Sequence, residues 1–229
     1  MLDQIDISRV LRQALTGGGE FADIYFEEGA STAIACEDGK IEKVIAGTDR
    51  GVGIRVISDL RTAYAYTNEV TESALVALAE TVSRAVKGKS FGSPIDMRQK
   101  RVGSGFPIKM PPAEVPLMAK VALVNRANLA ARGADHRIRQ VMVVYRDSKV
   151  TTQIANSAGE FVENSRTGTV FMAQVVAGEG ELIQTGYEPI GGFRGLELLD
   201  GETVEQIALT ACRRALLMLT ARKAPGGMM

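Results

Sequence analysis

Residues 22–67 read ADIYFEEGASTAIACEDGKIEKVIAGTDRGVGIRVISDLRTAYAYT, and this stretch decides the fold. Apolar and polar residues alternate through it, the period of a half-buried strand. Glu37-Asp38-Gly39-Lys40 and Ser58-Asp59-Leu60-Arg61 carry turn residues between alternating runs and read as hairpin turns. Gly47, Gly51 and Gly53 are expected to mark further turns or a bulge, because glycine accepts positive φ without a steric cost. Four or five short strands are therefore expected here, and a second run of the same design begins near Val141 and continues to Tyr187.

Helical spacing brackets each strand run. Asp6 precedes Ile7, Val10, Leu11, Ala14 and Leu15, an N-cap before an apolar stripe that Gly17-Gly18-Gly19 ends. Thr71 caps a second helix with Leu75, Leu78, Ala79, Val82 and Val86 on one face and Gly88 as its stop. A third is expected from Ala113 to Arg132, with Val121, Val124 and Ala131 inward and Pro116 confined to the first turn. A fourth opens at 200–203, buries Val204, Ile207, Ala208, Ala211, Ala215 and Leu219, and ends before Ala224-Pro225. The fold class is α/β (α+β): two antiparallel-rich strand meanders, each flanked by helices.

Residues 89–112, rich in glycine, serine and proline without a sustained period, read as a linker between a first domain at 1–88 and a second at 113–229. A shift of 120 positions lays Tyr25 on Tyr145, Thr32 on Thr152, Ile34 on Ile154, Ala35 on Ala155 and Gly39 on Gly159. Duplication and the alternation common to any two meanders both account for that match.

Composition narrows the function classes. Twenty-seven basic residues balance twenty-seven acidic ones, which removes the simplest route to nucleic acid or an anionic membrane. No window approaches the roughly 20 apolar residues of a membrane span, and the N-terminus carries no basic stretch followed by an apolar one. The cytoplasm is the expected compartment. Cys36 and Cys212, the two cysteines, match no metal spacing and read as reduced thiols. His136, the one histidine, sits in the polar connection Gly133-Ala134-Asp135-His136-Arg137, and one histidine cannot build the usual zinc shell. Glu27-Glu28 and Glu37-Asp38 are strand neighbours whose side chains point to opposite faces, so neither pair converges on one reacting atom. No Gly-x-Ser-x-Gly elbow and no phosphate loop is present, so no catalytic residue is assigned. The candidate binding segment is Tyr187-Glu188-Pro189-Ile190-Gly191-Gly192-Phe193-Arg194-Gly195, whose glycines permit close approach of another chain; Gly191, Gly192 and Arg194 are its substrate-binding candidates, against the plainer reading of a flexible link.

Ala22-Asp23-Ile24-Tyr25-Phe26, Gly51-Val52-Gly53-Ile54-Arg55, Arg61-Thr62-Ala63-Tyr64-Ala65-Tyr66, the Gly-Gly-Phe-Arg-Gly segment and the ending Ala224-Pro225-Gly226-Gly227-Met228-Met229 resemble the TldD/PmbA family, more on the TldD side. That resemblance implies a zinc metallopeptidase about twice this length, a family also described as modulators of DNA gyrase. It places zinc on a His-Glu helix beyond the Ala-Pro-x-Gly-x-Met segment, in a carboxy-terminal domain that this chain lacks, so no metal ligand is carried over. It implies an amino-terminal region that positions peptide or unfolded protein and works as a homo- or hetero-oligomer with the missing domain or a partner subunit. The alternative is a free-standing, non-catalytic protein- or peptide-binding partner of a family peptidase. The coding sequence downstream of Met229 separates the two: a His-Glu motif supports the first.

Overall fold

Asp38 and Gly39 both lie at positive φ, +50° and +81°, the backbone of a type I′ turn, whose twist matches that of its flanking strands. This turn joins β1 (Phe21–Glu37) to β2 (Lys40–Ser58). Asp59 and Leu60, at +46° and +61°, make the second two-residue turn, which joins β2 to β3 (Arg61–Thr67) and pairs Ser58 with Arg61. Both turns stand where the sequence places them, but the strands between them are fewer and longer than expected. Gly47, Gly51 and Gly53 lie inside β2 and turn nothing. At Gly53 the reason is space: a Cβ would stand 2.5 Å from the Tyr64 hydroxyl, so glycine makes room for a ring on the adjacent strand.

The computed structural model describes residues 2–86, 95–102, 105–222 and 226–227. After β3 come α2 (Glu72–Ala85), β4 (Arg98–Val102), α3 (Leu117–Arg132), β5 (Ile138–Asn156), β6 (Glu160–Glu179), β7 (Leu182–Gly192) and α4 (Thr203–Thr220); α1 (Ile7–Leu15) precedes β1. Asp6 caps α1 by accepting from the Arg9 amide, and Thr71 caps α2 through the Ala74 amide, as their sequences dictate. Gly88, expected to stop α2, lies outside the described residues; α2 ends at Ala85 with Val86 extended. α3 starts later than expected. Proline disfavours helical backbone in the residue before it, so Pro116 holds Val115 extended and separates a 3-10 turn at Pro112–Glu114 from the helix.

By contact density the described chain forms two compact units. One takes its pieces from 1–30, 48–105 and 149–166; the other from 31–47, 106–148 and 167–229. In the first, sheet order is β3-β2-β1-β5-β6-β4, with α1 and α2 packed together and a core of Val10, Leu11, Ile24, Phe26, Ile54 and Leu75. In the second, β7 lies beside β6, and Val124, Val143, Tyr145, Phe171, Ile207 and Ala211 build the core under α3 and α4.

β4 occupies part of the stretch expected to be a linker. It runs parallel to the start of β6, Arg98 opposite Glu160, and its first amide donates to the Gly159 carbonyl at 2.6 Å. Backbone pairing alone makes this strand, and RQKRV carries no alternation to announce it. The 120-residue shift holds only at the turns. Gly39 and Gly159 share a positive φ, but Tyr145 is fully buried where Tyr25 is exposed, and Ile34 is buried where Ile154 is exposed.

α4 approaches β7 closely enough that a Cβ on Gly186 would stand 1.9 Å from the Ala211 carbonyl oxygen. Gly186→Ala is expected to cost about 1–3 kcal/mol by overpacking, read as a lowered urea midpoint. Leu60 is wholly exposed at φ +61°, a conformation costing non-glycine residues about 1–2 kcal/mol. Leu60→Gly, which creates the Asp-Gly pair favoured in such turns, is therefore expected to raise that midpoint.

Candidate functional site

Val141, Val143, Tyr145 and Asp147 are alternate residues of β5 and all are buried. Three belong to the second unit's core; the fourth is a carboxylate. In α3, Lys120, Val124, Ala127 and Ala131 lie on one face by helical spacing and are likewise buried, and the first of them is an ammonium. The polar ends of the two stripes meet. Lys120 Nζ donates to Asp147 Oδ2 at 2.7 Å, and the Tyr145 hydroxyl donates to the same oxygen at 2.6 Å. Lys120 Nζ also donates to Thr32 Oγ1 at 3.3 Å and lies 5.7 Å from the centroid of the Tyr145 ring.

Lys120 is 4% and Asp147 8% exposed, so each would cost several kcal/mol as a lone charge. Their pairing and the surrounding donors offset that cost. Burial, then the hydrogen bond to Asp147 and its charge, push the Tyr145 hydroxyl far above the ordinary tyrosine range, so it stays protonated and keeps donating.

Register extends this cluster across the sheet. The Asp38 amide donates to the Val141 carbonyl and the Ser157 amide to the Ala22 carbonyl; counted inward from either pair, Thr32 falls opposite Asp147. Thr151 meets Ser165, and Gln153 meets Glu163; counted along β5 and β6, Thr169 falls opposite Asp147. Thr169 pairs with Gly192. Thr32, Asp147, Thr169 and Gly192 thus form one cross-strand row, and a cavity of about 560 Å³ is lined by these four, their strand neighbours and Phe193.

Of the residues singled out by sequence, Gly191 and Gly192 line this cavity. Nothing stands within 4 Å of a Cβ on Gly192, while one on Gly191 would lie 3.1 Å from a Val170 methyl. Arg194 joins by its backbone: its carbonyl accepts from Thr169 Oγ1 at 3.0 Å, and its side chain is exposed. The segment expected as a loop is strand as far as Gly192, and beyond it Glu197 accepts from the Gly195 and Met110 amides at 3.0 and 2.9 Å. Burial raises the Glu197 carboxyl, but backbone donors more than offset this and leave it below the ordinary glutamate range. Lys120, Asp147, Thr32 and Thr169 were missed by sequence reasoning. The signal was available in the two stripes, each of which ends in a charge where its period calls for an apolar residue.

A larger hollow of about 690 Å³ in the first unit is lined by Tyr25, Tyr64 and Tyr66. Those rings are exposed, and it has no buried charged floor.

Among the described residues no three His, Cys, Asp or Glu side chains stand together to hold a metal. The His136 side chain is 91% exposed, with Nδ1 3.4 Å from Asp135. Burial pushes the Cys212 thiol up to about 11 and raises that of Cys36, and both are free and buried. These groups do not fit a zinc shell.

Comparison with known proteins places the fold. A model described as PmbA/TldA metallopeptidase domain 1 matches residues 22–88, and one described as the PmbA/TldA metallopeptidase central domain matches 111–219. A metalloprotease of Methanothermobacter thermautotrophicus is 29% identical over 218 residues, covering 91% of this chain and 45% of its own length. A metalloprotease TldD homolog of Haemophilus influenzae is 27% identical over 217 residues, covering 92% and 45%. The chain spans about half the length of the curated relatives it matches. Among solved structures, a protein described as a modulator of DNA gyrase from Thermotoga maritima matches with a TM-score of 0.74 at 19% identity, covering 96% of this chain and 49% of that one. TldE of Thermococcus kodakarensis matches at 0.71 and 14%, covering 90% and 46%. A helix-flanked sheet matched in series by domain 1 and the central domain is the architecture of a metallopeptidase-named group of proteins. The chain belongs to the TldD/PmbA family.

Removal of one partner of a buried ion pair leaves the other uncompensated, at about 3–5 kcal/mol. Asp147→Ala and Lys120→Ala are each expected to lose that much in urea unfolding, while the apolar pair Lys120→Met with Asp147→Leu recovers most of it.

Proposed function

We propose that this region receives an extended stretch of peptide or unfolded protein and positions it for hydrolysis by a zinc centre that lies outside the described residues, on the family's His-Glu helix. On this reading residues 1–88 and 113–229 are its first and second domains, the region does not itself cleave, and it works in the cytoplasm. The observation that carries the reading is the cavity over the row Thr32, Asp147, Thr169 and Gly192, set at β7. β7 pairs with β6 alone among the described strands, and Pro189 within it is at home in an edge strand. An edge strand accepts an extended chain through main-chain hydrogen bonds, whatever its sequence, and an adjoining cavity then takes one of its side chains. The equal count of basic and acidic residues favours no nucleic-acid partner, and no helix among the described residues is long and apolar enough to cross a membrane.

The experiment is binding of a reduced, carboxymethylated polypeptide, read by fluorescence anisotropy, with hydrogen exchange mapped on the complex. Protection is expected along 182–193. Gly192→Val, which meets no atom within 4 Å at its Cβ, is expected to leave thermal stability within about 0.5 kcal/mol and to weaken binding at least tenfold. In a protein carrying the metal-binding domain, Gly192→Ala with Arg194→Ala is expected to slow peptide cleavage. Absence of binding, or protection confined to other strands, overturns the reading.

Leu129 on α3 and Leu217 and Met218 on α4 are exposed. We propose that they meet a partner subunit, a further domain or a second copy of the chain. Light scattering is expected to detect self-association at high concentration, and a clean monomer there counts against a second copy.

A further inference from the structure

In the first unit Ile24, Phe26, Val52 and Ile54 are buried in the core, so strand alternation turns Tyr25, Glu27, Gly53 and their neighbours on β3, Tyr64 and Tyr66, to the opposite face of the sheet. Tyr64 pairs with Arg55 and Tyr66 with Gly53. The Tyr64 ring leans over Gly53, whose missing side chain leaves it room, and stacks with the Tyr66 ring at 6.3 Å between centroids and 26° between planes. β2 lies between β1 and β3, which sets β3 about 9.5 Å from β1 at the usual strand spacing. The hollow of about 690 Å³ is lined from all three strands. On its β1 side stands a carboxylate. The Tyr25 hydroxyl donates to Glu27 Oε2, and Oε1 accepts no hydrogen bond among the described residues. That bond, then burial, raise the Tyr25 hydroxyl above the ordinary tyrosine range, so it keeps donating and holds Glu27 in place. Arg55, on the same face, is already held by Asp23 at 3.0 Å. Asp49 adds a second carboxylate to the lining, against one guanidinium from Arg50.

We infer that this hollow takes the guanidinium of an arginine side chain from an extended polypeptide, laid against the Tyr64 and Tyr66 rings and ion-paired with Glu27. The site belongs to the first unit and stands independently of the cavity at β7. A guanidinium is the one side-chain group that is planar, permanently charged and rich in in-plane donors, so it stacks on an aromatic face while its edge meets a carboxylate. Tyrosine rings on β3 and a carboxylate on β1 supply those two partners from opposite sides of β2. Other guests use only part of the lining. A lysine ammonium pairs with Glu27 but has no plane to stack. A phosphate or carboxylate meets Glu27 and Asp49 as like charges. A neutral ring or proline stacks but gains nothing from the carboxylates. A metal ion finds two carboxylates and gains nothing from the rings.

The test uses the whole 229-residue chain and three extended peptides, capped at both ends and labelled with a neutral coumarin, that differ at one central residue: arginine, citrulline or lysine. A stacked guanidinium and an exposed ion pair are each worth about two- to fivefold in affinity. In fluorescence anisotropy at low salt the arginine peptide is therefore expected to bind about tenfold tighter than the citrulline peptide, which keeps the shape without the charge. The lysine peptide is expected to bind about threefold weaker than the arginine one. Glu27 is exposed and Tyr66 is 77% exposed, so Glu27→Gln and Tyr66→Leu are expected to leave melting curves unchanged. Each is expected to cut the arginine-over-citrulline ratio to about threefold or less, while Gly192→Val at β7 leaves that ratio as it is. No measurable binding of the arginine peptide, equal binding of either analogue, a ratio that survives in both hollow variants, or one that falls only with Gly192→Val overturns the site. If hydrogen exchange shows no protection along 182–193 while the arginine ratio follows Glu27 and Tyr66, the β7 reading falls and this site stands.

Discussion

Two opposite charges taken out of water together constrain the second unit more than any apolar contact in it. Lys120 and Asp147 are each tolerable in the interior only in the other's presence, so α3 and β5 must meet in one register. Slippage of α3 by one turn, about 5.4 Å, would strand both charges, whereas Val124 or Ala131 could find another apolar neighbour. Tyr145 and Thr32 complete the arrangement by supplying the hydrogen bonds that a bare pair would lack. The cavity floor is thus also the device that fixes the helix on the sheet.

Close backbone approach plays the matching part at β7. Gly186 faces Ala211 with no room for a methyl group, and Gly195 is similarly pressed against the Met110 carbonyl. Between these two contacts Gly192 faces open space. Glycine therefore serves two opposite ends within ten residues, letting a helix in at one point and leaving a side wall off a cavity at another. Glu197 fixes the turn that follows by accepting from two amides, which makes the segment's end rigid where its composition suggested a loose link.

Local signals in the chain were legible, and non-local ones were not. Asp6, Thr71, Asp38-Gly39 and Asp59-Leu60 act through neighbours within three residues, and each cap or turn stands where its sequence puts it. Gly53 misled because its reason lies on the adjacent strand, in the ring of Tyr64. β4 was invisible because only pairing with β6 makes it a strand. At the site, glycine content drew attention to Gly191 and Gly192, which line the cavity, but the composition of one segment could not show that Lys120, 27 residues before Asp147, would close on it. The inward period of β5 and of α3 held that information in two separate places, and only their packing joins them.

The two thiols have a practical consequence. Cys36 and Cys212 are the chain's only cysteines, both are buried, and burial keeps both largely in the unreactive thiol form near neutral pH. A single cysteine introduced anywhere on the exterior would thus be the one fast-reacting nucleophile of its kind, ready for a spin label or a dye without first engineering the native pair away.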